Sequence, residues 1–368
     1  MFKVMGSDKM RIVVDVAHPA NVHLFKNFIK KMQKRGHEIL ITASQKEVSL
    51  QLLNAYGLSY IDLGSYGDSL LTKAINIPKM DYKMYNVVKD FNPDIFLGPG
   101  SIRSAHVSKL LGKPCISVTG TEHAEAEQLL YLPFTDCVVT STAFRKDFGK
   151  KHVRFNSYFE LAYLHPNYFK PDPRVLEEVG LSKNEQFIIV RFISWKAAHD
   201  RGHRGIKDKT NIIKRLEEYG RVFVTSEAEL DNSLRNYMIT ISPEKLHDLL
   251  FYSRLCFGEG ATIPSEAALL GTPSISISTL EFPGFMYDEA QHGLVYLFSD
   301  PKNAEEKAIQ KAVELLETRD LKSEALKKRD NMLKNKIDPT AFLVWFVEEY
   351  PKSFLIMRSN PEIQNRFL

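Results

Sequence analysis

The feature that most constrains the fold is a repeated alternation of short apolar runs with stretches of helical periodicity. The first apolar run, Arg11 to Val16, reads as a buried strand. The stretch after it carries apolar residues at helical spacing: Val22, Phe25, Ile29 and Met32. Apolar runs and helical stretches keep alternating up to about residue 140. Such a series predicts an α/β fold with a doubly wound parallel sheet.

A proline-rich stretch, His165 to Pro173, interrupts this alternation with three prolines in nine residues. Beyond it the alternation restarts with a strand predicted at Phe187 to Ile193. A chain of 368 residues has room for two domains of ordinary size. We therefore predict one Rossmann-like domain over residues 1–168, a second over 169–337, and a C-terminal amphipathic helical segment over 338–368.

Composition excludes several classes of protein. The net charge of +4, with both signs interspersed, is too mild to indicate nucleic-acid binding, although basic patches leave room for a peripheral membrane contact. No run of about 20 apolar residues is present, and the N-terminal segment lacks the apolar core of a signal peptide. The three scattered cysteines fit buried free thiols. We expect a cytoplasmic protein without a transmembrane segment.

The most informative motif is the run from Gly258 to Pro273, GEGATIPSEAALLGTP. An apolar strand end precedes it, and a short helix is predicted to begin with Thr262 as its cap and Pro264 in its first turn. Gly271 then ends the helix. Free N–H groups and the positive end of the helix dipole at such a glycine turn suit a phosphate. Glu266 lies too far along the helix to face that phosphate and is placed to reach a sugar hydroxyl.

This run resembles the donor-site motif of GT-B glycosyltransferases, especially the MurG-like group, and non-hydrolysing UDP-N-acetylglucosamine 2-epimerases carry a related motif. The layout of the whole chain also resembles an uncharacterised archaeal and bacterial family. The resemblance implies two Rossmann-like domains that face a cleft, with the last helix returning to the first domain. It implies that Glu266 holds the ribose of a nucleotide-sugar. It further implies that the glycine turn meets the diphosphate through Gly258, Gly260, Ala261 and Thr262.

Two polar clusters follow strand ends in the first half and are candidates for acid–base catalysis. One contains His18 and His23, and the other contains Glu122 and His123. A histidine that titrates near neutral pH suits a general base for an acceptor hydroxyl. The alternatives are a histidine that caps or packs against its helix and an exposed solvated loop. A glycine turn, Gly98 to Ser101, is a further candidate for close ligand approach or for a simple tight turn.

In the second half, Arg191 and Ser194 end the first predicted strand and Ser226 ends the next. Arginine can bind a phosphate through a forked contact, so Arg191 and Ser194 are predicted donor-phosphate ligands. Trp195, His199, Asp200 and His203 lie in the loop that follows Ser194. The H-x3-H spacing of its histidines has no obvious third ligand, and we predict no metal and no cofactor.

Together with these residues, the resemblance implies a metal-independent glycosyltransferase that uses a nucleotide-sugar, with UDP as the expected nucleotide. The acceptor is a glycan, a lipid-linked compound or a small molecule. Two alternatives stay open: a sugar-nucleotide 2-epimerase, and a nucleotide-sugar-binding protein without turnover. A P-loop ATPase and a serine hydrolase are excluded because the chain has neither a Walker A pattern nor a G-x-S-x-G elbow.

Overall fold

The fold is taken from a computed structural model, which describes residues 9–46, 48–67, 70–182, 184–194, 205–227 and 230–368. The strands are β1 (Arg11–Val16), β2 (Glu38–Ala43), β3 (Ile61–Asp62), β4 (Ile95–Gly98), β5 (Cys115–Val118), β6 (Cys137–Ser141), β7 (His152–Phe155), β8 (Phe187–Phe192), β9 (Arg221–Ser226), β10 (Leu255–Glu259), β11 (Ser274–Ile277) and β12 (Val295–Phe298).

The helices are α1 (Pro19–Lys34), α2 (Ser49–Ala55), α3 (Leu70–Val88), α4 (Ile102–Leu110), α5 (Glu125–Tyr131), α6 (Leu161–Leu164), α7 (Arg174–Glu178), α8 (Lys209–Glu217), α9 (Leu246–Tyr252), α10 (Thr262–Leu269), α11 (Gly284–Gln291), α12 (Ala304–Glu317), α13 (Leu321–Leu333), α14 (Pro339–Glu348) and α15 (Lys352–Ser359). Short 3₁₀ helices lie at Leu132–Phe134, Gly149–Lys151, Asn232–Tyr237, Pro243–Lys245 and Pro361–Phe367.

The chain forms two compact units, and the first comprises Met1–His165 and Lys336–Leu368. Its described strands form one parallel sheet in the order β3-β2-β1-β4-β5-β6-β7. The core strands are buried along their whole length, as a doubly wound sheet requires. The C-terminal helix α14 packs against α1 in this unit. The sequence-based divisions lie after residues 168 and 337, and the compact units divide after His165 and Asn335.

The second unit comprises Pro166–Asn335. Its described strands also form one parallel sheet, in the order β12-β11-β10-β8-β9. One apolar core joins the sheet to α8 and α12. The two parallel sheets with flanking helices confirm the predicted α/β doubly wound class. Within the described residues, no helix is both long and apolar enough to cross a membrane.

Several predicted boundaries are wrong. Gly64 to Lys73 is predicted as a loop and Met80 as the start of a helix, but α3 already begins at Leu70 and accommodates Pro78 in its interior. The edge strands β7 and β12 are missed: β7 is interrupted by Arg154, and β12 is a run of only four apolar residues, too short for its type to be assigned from periodicity. At the central motif, Gly258 belongs to β10, and the N-cap of α10 is Ala261 where Thr262 was expected.

Candidate functional site

The C-terminal ends of β8 and β10 meet at the point where the strand order of the second unit reverses. The chain runs from β8 outward to β9, then returns to β10 and continues to β11 and β12 on the other side. In open α/β sheets, ligands bind outside the carboxyl ends of the strands at such a switch point. The predicted donor motif lies here, because α10 begins directly after β10.

The glycines of this junction are required by its geometry. A Cβ atom on Gly258 would lie 2.3 Å from the carbonyl oxygen of Arg191 on β8, so only glycine fits between the two strands. Gly260 has a φ of +81°, a conformation that glycine adopts at low cost. The helix that follows has no side-chain cap, which leaves the N–H groups at its first turn for water or a ligand. This end of α10 is therefore suited to an anion.

Glu259, between the two glycines, is a functional candidate that the sequence reasoning missed. Its carboxylate is buried and accepts a hydrogen bond from the backbone N–H of Ile193 at 2.8 Å and from that of Ile206 at 2.6 Å. These residues flank the segment that follows β8 along the chain. Glu259 thus ties two separate backbone positions to the end of β10. The sequence feature that could have indicated Glu259 is its position as an acidic residue between two glycines at the end of a strand.

Arg191 and Ser194 both contact Glu227, the residue that follows Ser226 at the end of β9. Arg191 forms an ion pair with Glu227, whose carboxylate also accepts from the backbone N–H of Ser194 at 3.3 Å and from its hydroxyl at 3.4 Å. Ser226 ends β9 and is half-buried beside Glu227. The two predicted phosphate ligands are thus gathered around a carboxylate. Their predicted neighbours Trp195, His199, Asp200 and His203 lie outside the described residues.

Glu266 lies in the second turn of α10 and is only 2% exposed. Its Oε1 atom lies 3.1 Å from Nε2 of His247, which is 3% exposed on the neighbouring helix α9. Burial raises the pKa of the adjacent Cys256 thiol to about 12, and the charge of Glu266 adds to that rise. The sequence reasoning missed His247. In the sequence it is simply a histidine among the apolar residues of α9, the helix that precedes α10. The ribose contact of Glu266 stays a prediction.

In the first unit, both candidate histidines take part in local packing. His18 is the N-cap of α1, and its Nδ1 atom accepts from the backbone N–H of Ala20 at 3.2 Å. His23 is buried on α1, with Nδ1 2.9 Å from the hydroxyl of Tyr56 and its ring against Tyr163. These are the capping and packing arrangements that the sequence left open as alternatives. A catalytic role for either residue stays a prediction.

The second acid–base cluster, after β5, separates into two different environments. Glu122 is buried, and its carboxylate accepts from the backbone N–H of Arg145 at 2.6 Å and from the guanidinium at 3.3 Å. His123 is half-buried, and within the described residues its Nε2 atom is shielded from solvent with no hydrogen-bond partner. The nearby Gly100 makes room for a protein side chain, since a Cβ there would lie 2.9 Å from the ring of Tyr131.

A buried ion pair lies at the switch point of the first unit, between β1 and β4, and was not predicted. Nη2 of Arg103 donates to Oδ1 of Asp15 at 2.6 Å, and Nη1 donates to Ser44 at 2.8 Å. Asp15 also accepts from the hydroxyls of Thr42 at 2.6 Å and Ser101 at 2.5 Å. Arg103 and Asp15 are both fully buried. This network fixes the strand ends from which the candidate loops of the first unit emerge.

The sequence as a whole matches a family profile over residues 10–338. The chain belongs to the family described as "Protein of unknown function (DUF354)". This DUF354 protein is also similar to the uncharacterized protein MJ0665 of Methanocaldococcus jannaschii, with 26% identity over 284 residues that cover 74% of this chain and 82% of the relative.

Solved structures resemble this DUF354 protein over most of its length. S. aureus MnaA, solved with UDP, has a TM-score of 0.65 at 11% identity and covers 94% of this chain and 97% of its own. A Listeria monocytogenes protein described as a UDP-N-acetylglucosamine 2-epimerase has a TM-score of 0.61 at 15% identity, with coverages of 89% and 91%. The glycosyltransferase VinC, solved with DTDP, has a TM-score of 0.60 at 12% identity, with coverages of 92% and 100%. The DUF354 protein has the GT-B type of fold, as predicted.

Proposed function

We propose that this protein is a metal-independent glycosyltransferase that binds its nucleotide-sugar donor at the junction of β10 and α10. The observation that carries the proposal is the uncapped N-terminus of α10 at the switch point, with Glu266 on the same helix. Backbone N–H groups aimed at a developing diphosphate charge stabilise a leaving group without a metal ion. The structural neighbours with bound UDP and DTDP support a diphosphate ligand.

Each donor-side residue has a distinct role in this proposal. Gly258 and Gly260 allow the backbone to approach the diphosphate, and the N–H groups of Ala261 and Thr262 donate to it. Arg191, with Ser194 and Ser226 beside it, adds positive charge once a phosphate replaces Glu227 as its partner. Glu266 accepts from the ribose hydroxyls. An acceptor oxygen then attacks the anomeric carbon in line with the departing nucleoside diphosphate.

The acceptor-side base is proposed to be His123. A general base needs a ring nitrogen that can accept a proton. Nδ1 of His18 already accepts from a backbone N–H, and Glu122 is tied to Arg145, whereas Nε2 of His123 has no partner within the described residues. His23 is packed between aromatic rings. The mechanism requires the strand-end edges of the two units to form one site, and that arrangement stays a prediction.

Calorimetry with UDP tests the donor site. Wild-type protein is expected to bind UDP in the presence of EDTA, and Glu266→Gln is expected to lower the affinity roughly tenfold, since hydrogen bonds to a charged group contribute about 1.5–3 kcal/mol. Glu289→Gln is the matched control, because Glu289 is equally buried and contacts α10 through Ser265 at 2.6 Å. Equal losses in both variants would mean that damage to α10 explains the effect.

Turnover distinguishes the three functional hypotheses. Wild-type protein is incubated with UDP-N-acetylglucosamine alone and with a panel of acceptors, and the products are followed by mass spectrometry and NMR. Transfer only in the presence of an acceptor supports the glycosyltransferase. Epimerisation without an acceptor supports the epimerase, and binding without any product supports a non-catalytic protein. A requirement for magnesium or manganese would contradict the metal-independent mechanism.

A further inference from the structure

The contact between His247 and Glu266 joins the helices α9 and α10. His247 is the second residue of α9, and Glu266 lies in α10, so 18 residues separate them along the chain. The distance between Nε2 and Oε1 is 3.1 Å, and both side chains are almost fully buried. Burial on this scale fixes the rotamers of both side chains through packing.

The geometry of a carboxylate makes this contact directional. The two oxygens of Glu266 are coplanar, so a contact that fixes Oε1 also fixes the direction in which Oε2 points. A buried histidine that contacts a carboxylate in this way holds its orientation, as the supporting residues of metal and catalytic sites do. The orientation of Glu266 therefore depends on His247 as well as on α10 itself.

We infer that His247 is a positioning residue that orients Glu266 toward the ribose 2′- and 3′-hydroxyls and thereby makes the donor site selective for ribonucleoside diphosphates. This inference rests on the proposed function, since Glu266 must contact the ribose for His247 to act through it. It adds to the proposed function a second residue, His247, on which the ribose contact of Glu266 depends. The ligand is a ribonucleotide-sugar, and a 2′-deoxyribonucleotide is disfavoured because it removes one partner of the carboxylate.

The test measures discrimination between UDP and 2′-deoxy-UDP, which share the base and the diphosphate. Calorimetry on the full chain is expected to show UDP bound roughly tenfold more tightly than 2′-deoxy-UDP by the wild type. His247→Ala is expected to reduce this ratio to about two or less, mainly through weaker binding of UDP. His247→Gln, whose amide can still donate to Glu266, is expected to retain part of the ratio. His292→Ala, at the end of α11 in the same unit, is the control and is expected to leave the ratio unchanged.

The possible outcomes separate this inference from the proposed function. A wild type that binds neither nucleotide removes the proposed donor site itself. A His247→Ala protein that keeps the full ratio, or that loses both nucleotides equally, overturns the positioning role and leaves the donor site standing. If His247→Ala has no cooperative thermal transition, His247→Asn replaces it, because its shorter amide keeps a polar group but does not span the contact. If His247→Asn keeps the full ratio of UDP to 2′-deoxy-UDP affinity, the positioning role of His247 is likewise overturned.

Discussion

The helices α4 and α10 begin in similar ways but differ in what satisfies their N-termini. Both follow a buried strand through a glycine with positive φ, +69° at Gly100 and +81° at Gly260. In α4 the hydroxyl of Ser101 accepts from the backbone N–H of Ser104 at 3.3 Å, and the ring of Tyr131 occupies the space beside Gly100. In α10 the N-cap is Ala261, and no side chain caps the helix.

This difference teaches that a glycine turn before a helix does not by itself indicate an anion site. At α4 the protein satisfies the helix end with its own hydroxyl and fills the open space with an aromatic ring. At α10 the residue after the glycine carries no hydrogen-bonding group, so the dipole and the N–H groups are left for another partner. The residue type at the cap position separates the two cases.

The largest expected effect comes from breaking the ion pair that anchors α4. Asp15→Ala leaves the guanidinium of Arg103 buried without its carboxylate, and loss of one partner of a buried pair costs about 3–5 kcal/mol. Denaturant unfolding should show this loss in the free energy of unfolding. The double variant Asp15→Ala/Arg103→Met, which removes both charges, should recover much of it. A loss below about 1 kcal/mol for Asp15→Ala would contradict this account.

Lys322 is a second buried basic side chain, and it lies near the end of α10. Its Nζ donates to the hydroxyl of Thr272 at 2.5 Å and lies 4.9 Å from the ring centre of Phe251. Burial lowers the pKa of Lys322 from 10.5 to about 7. The unfolded state therefore holds a proton that the folded state lacks between about pH 7 and pH 10.5, so stability rises with pH across this window and is lost as the pH falls.

Replacement of this amine should stabilise the protein near neutral pH. Lys322→Met keeps the length of the side chain without a charge to desolvate, and a gain on the order of 3 kcal/mol is expected at pH 7. The gain should shrink to less than about 1 kcal/mol at pH 10, because the wild-type amine is then neutral in the folded state and only partly protonated in the unfolded one. Thermal melts at the two pH values measure it, with Lys327→Met, at an exposed position of the same helix, as the control. A gain that does not change with pH would indicate better packing alone.

The sequence predicts the fold well and the site only in part, for physical reasons. A buried central strand such as β1 is a continuous apolar run, so its bounds, Arg11–Val16, are predicted correctly. The edge strand β12 is also wholly apolar, but it is only four residues long and three of them are partly buried, and periodicity does not assign so short a run to a strand. Strand ends can likewise be located by pattern, which is how Glu266 is found. Its partner His247 cannot be, because their contact depends on how α9 packs against α10.

Conversion of the α10 junction into one like that of α4 should remove anion binding. Ala261→Asp places a carboxylate at the helix N-terminus, where it interacts favourably with the dipole and repels a diphosphate. UDP affinity should fall at least roughly tenfold, about 1.4 kcal/mol, while thermal stability is kept or rises. Ala261→Ser adds a neutral cap and should cause a smaller loss. Unchanged UDP affinity in a folded Ala261→Asp protein would place the diphosphate elsewhere.

The smallest expected effect concerns the carboxylate that now occupies the cationic side of the proposed donor site. Glu227 neutralises Arg191 and accepts from Ser194, so a phosphate must compete with it for the same donors. Glu227→Gln removes that competing charge and should raise UDP affinity about two- to fivefold, a modest gain because ion pairs near the surface are screened by solvent. The gain should shrink at about 0.5 M salt, where the Debye length falls to a few ångströms. Glu314→Gln removes the same charge from the exposed face of α12 and controls for net charge. An equal gain in that control, or weaker binding by Glu227→Gln, would show that Glu227 supports the site and does not compete for it.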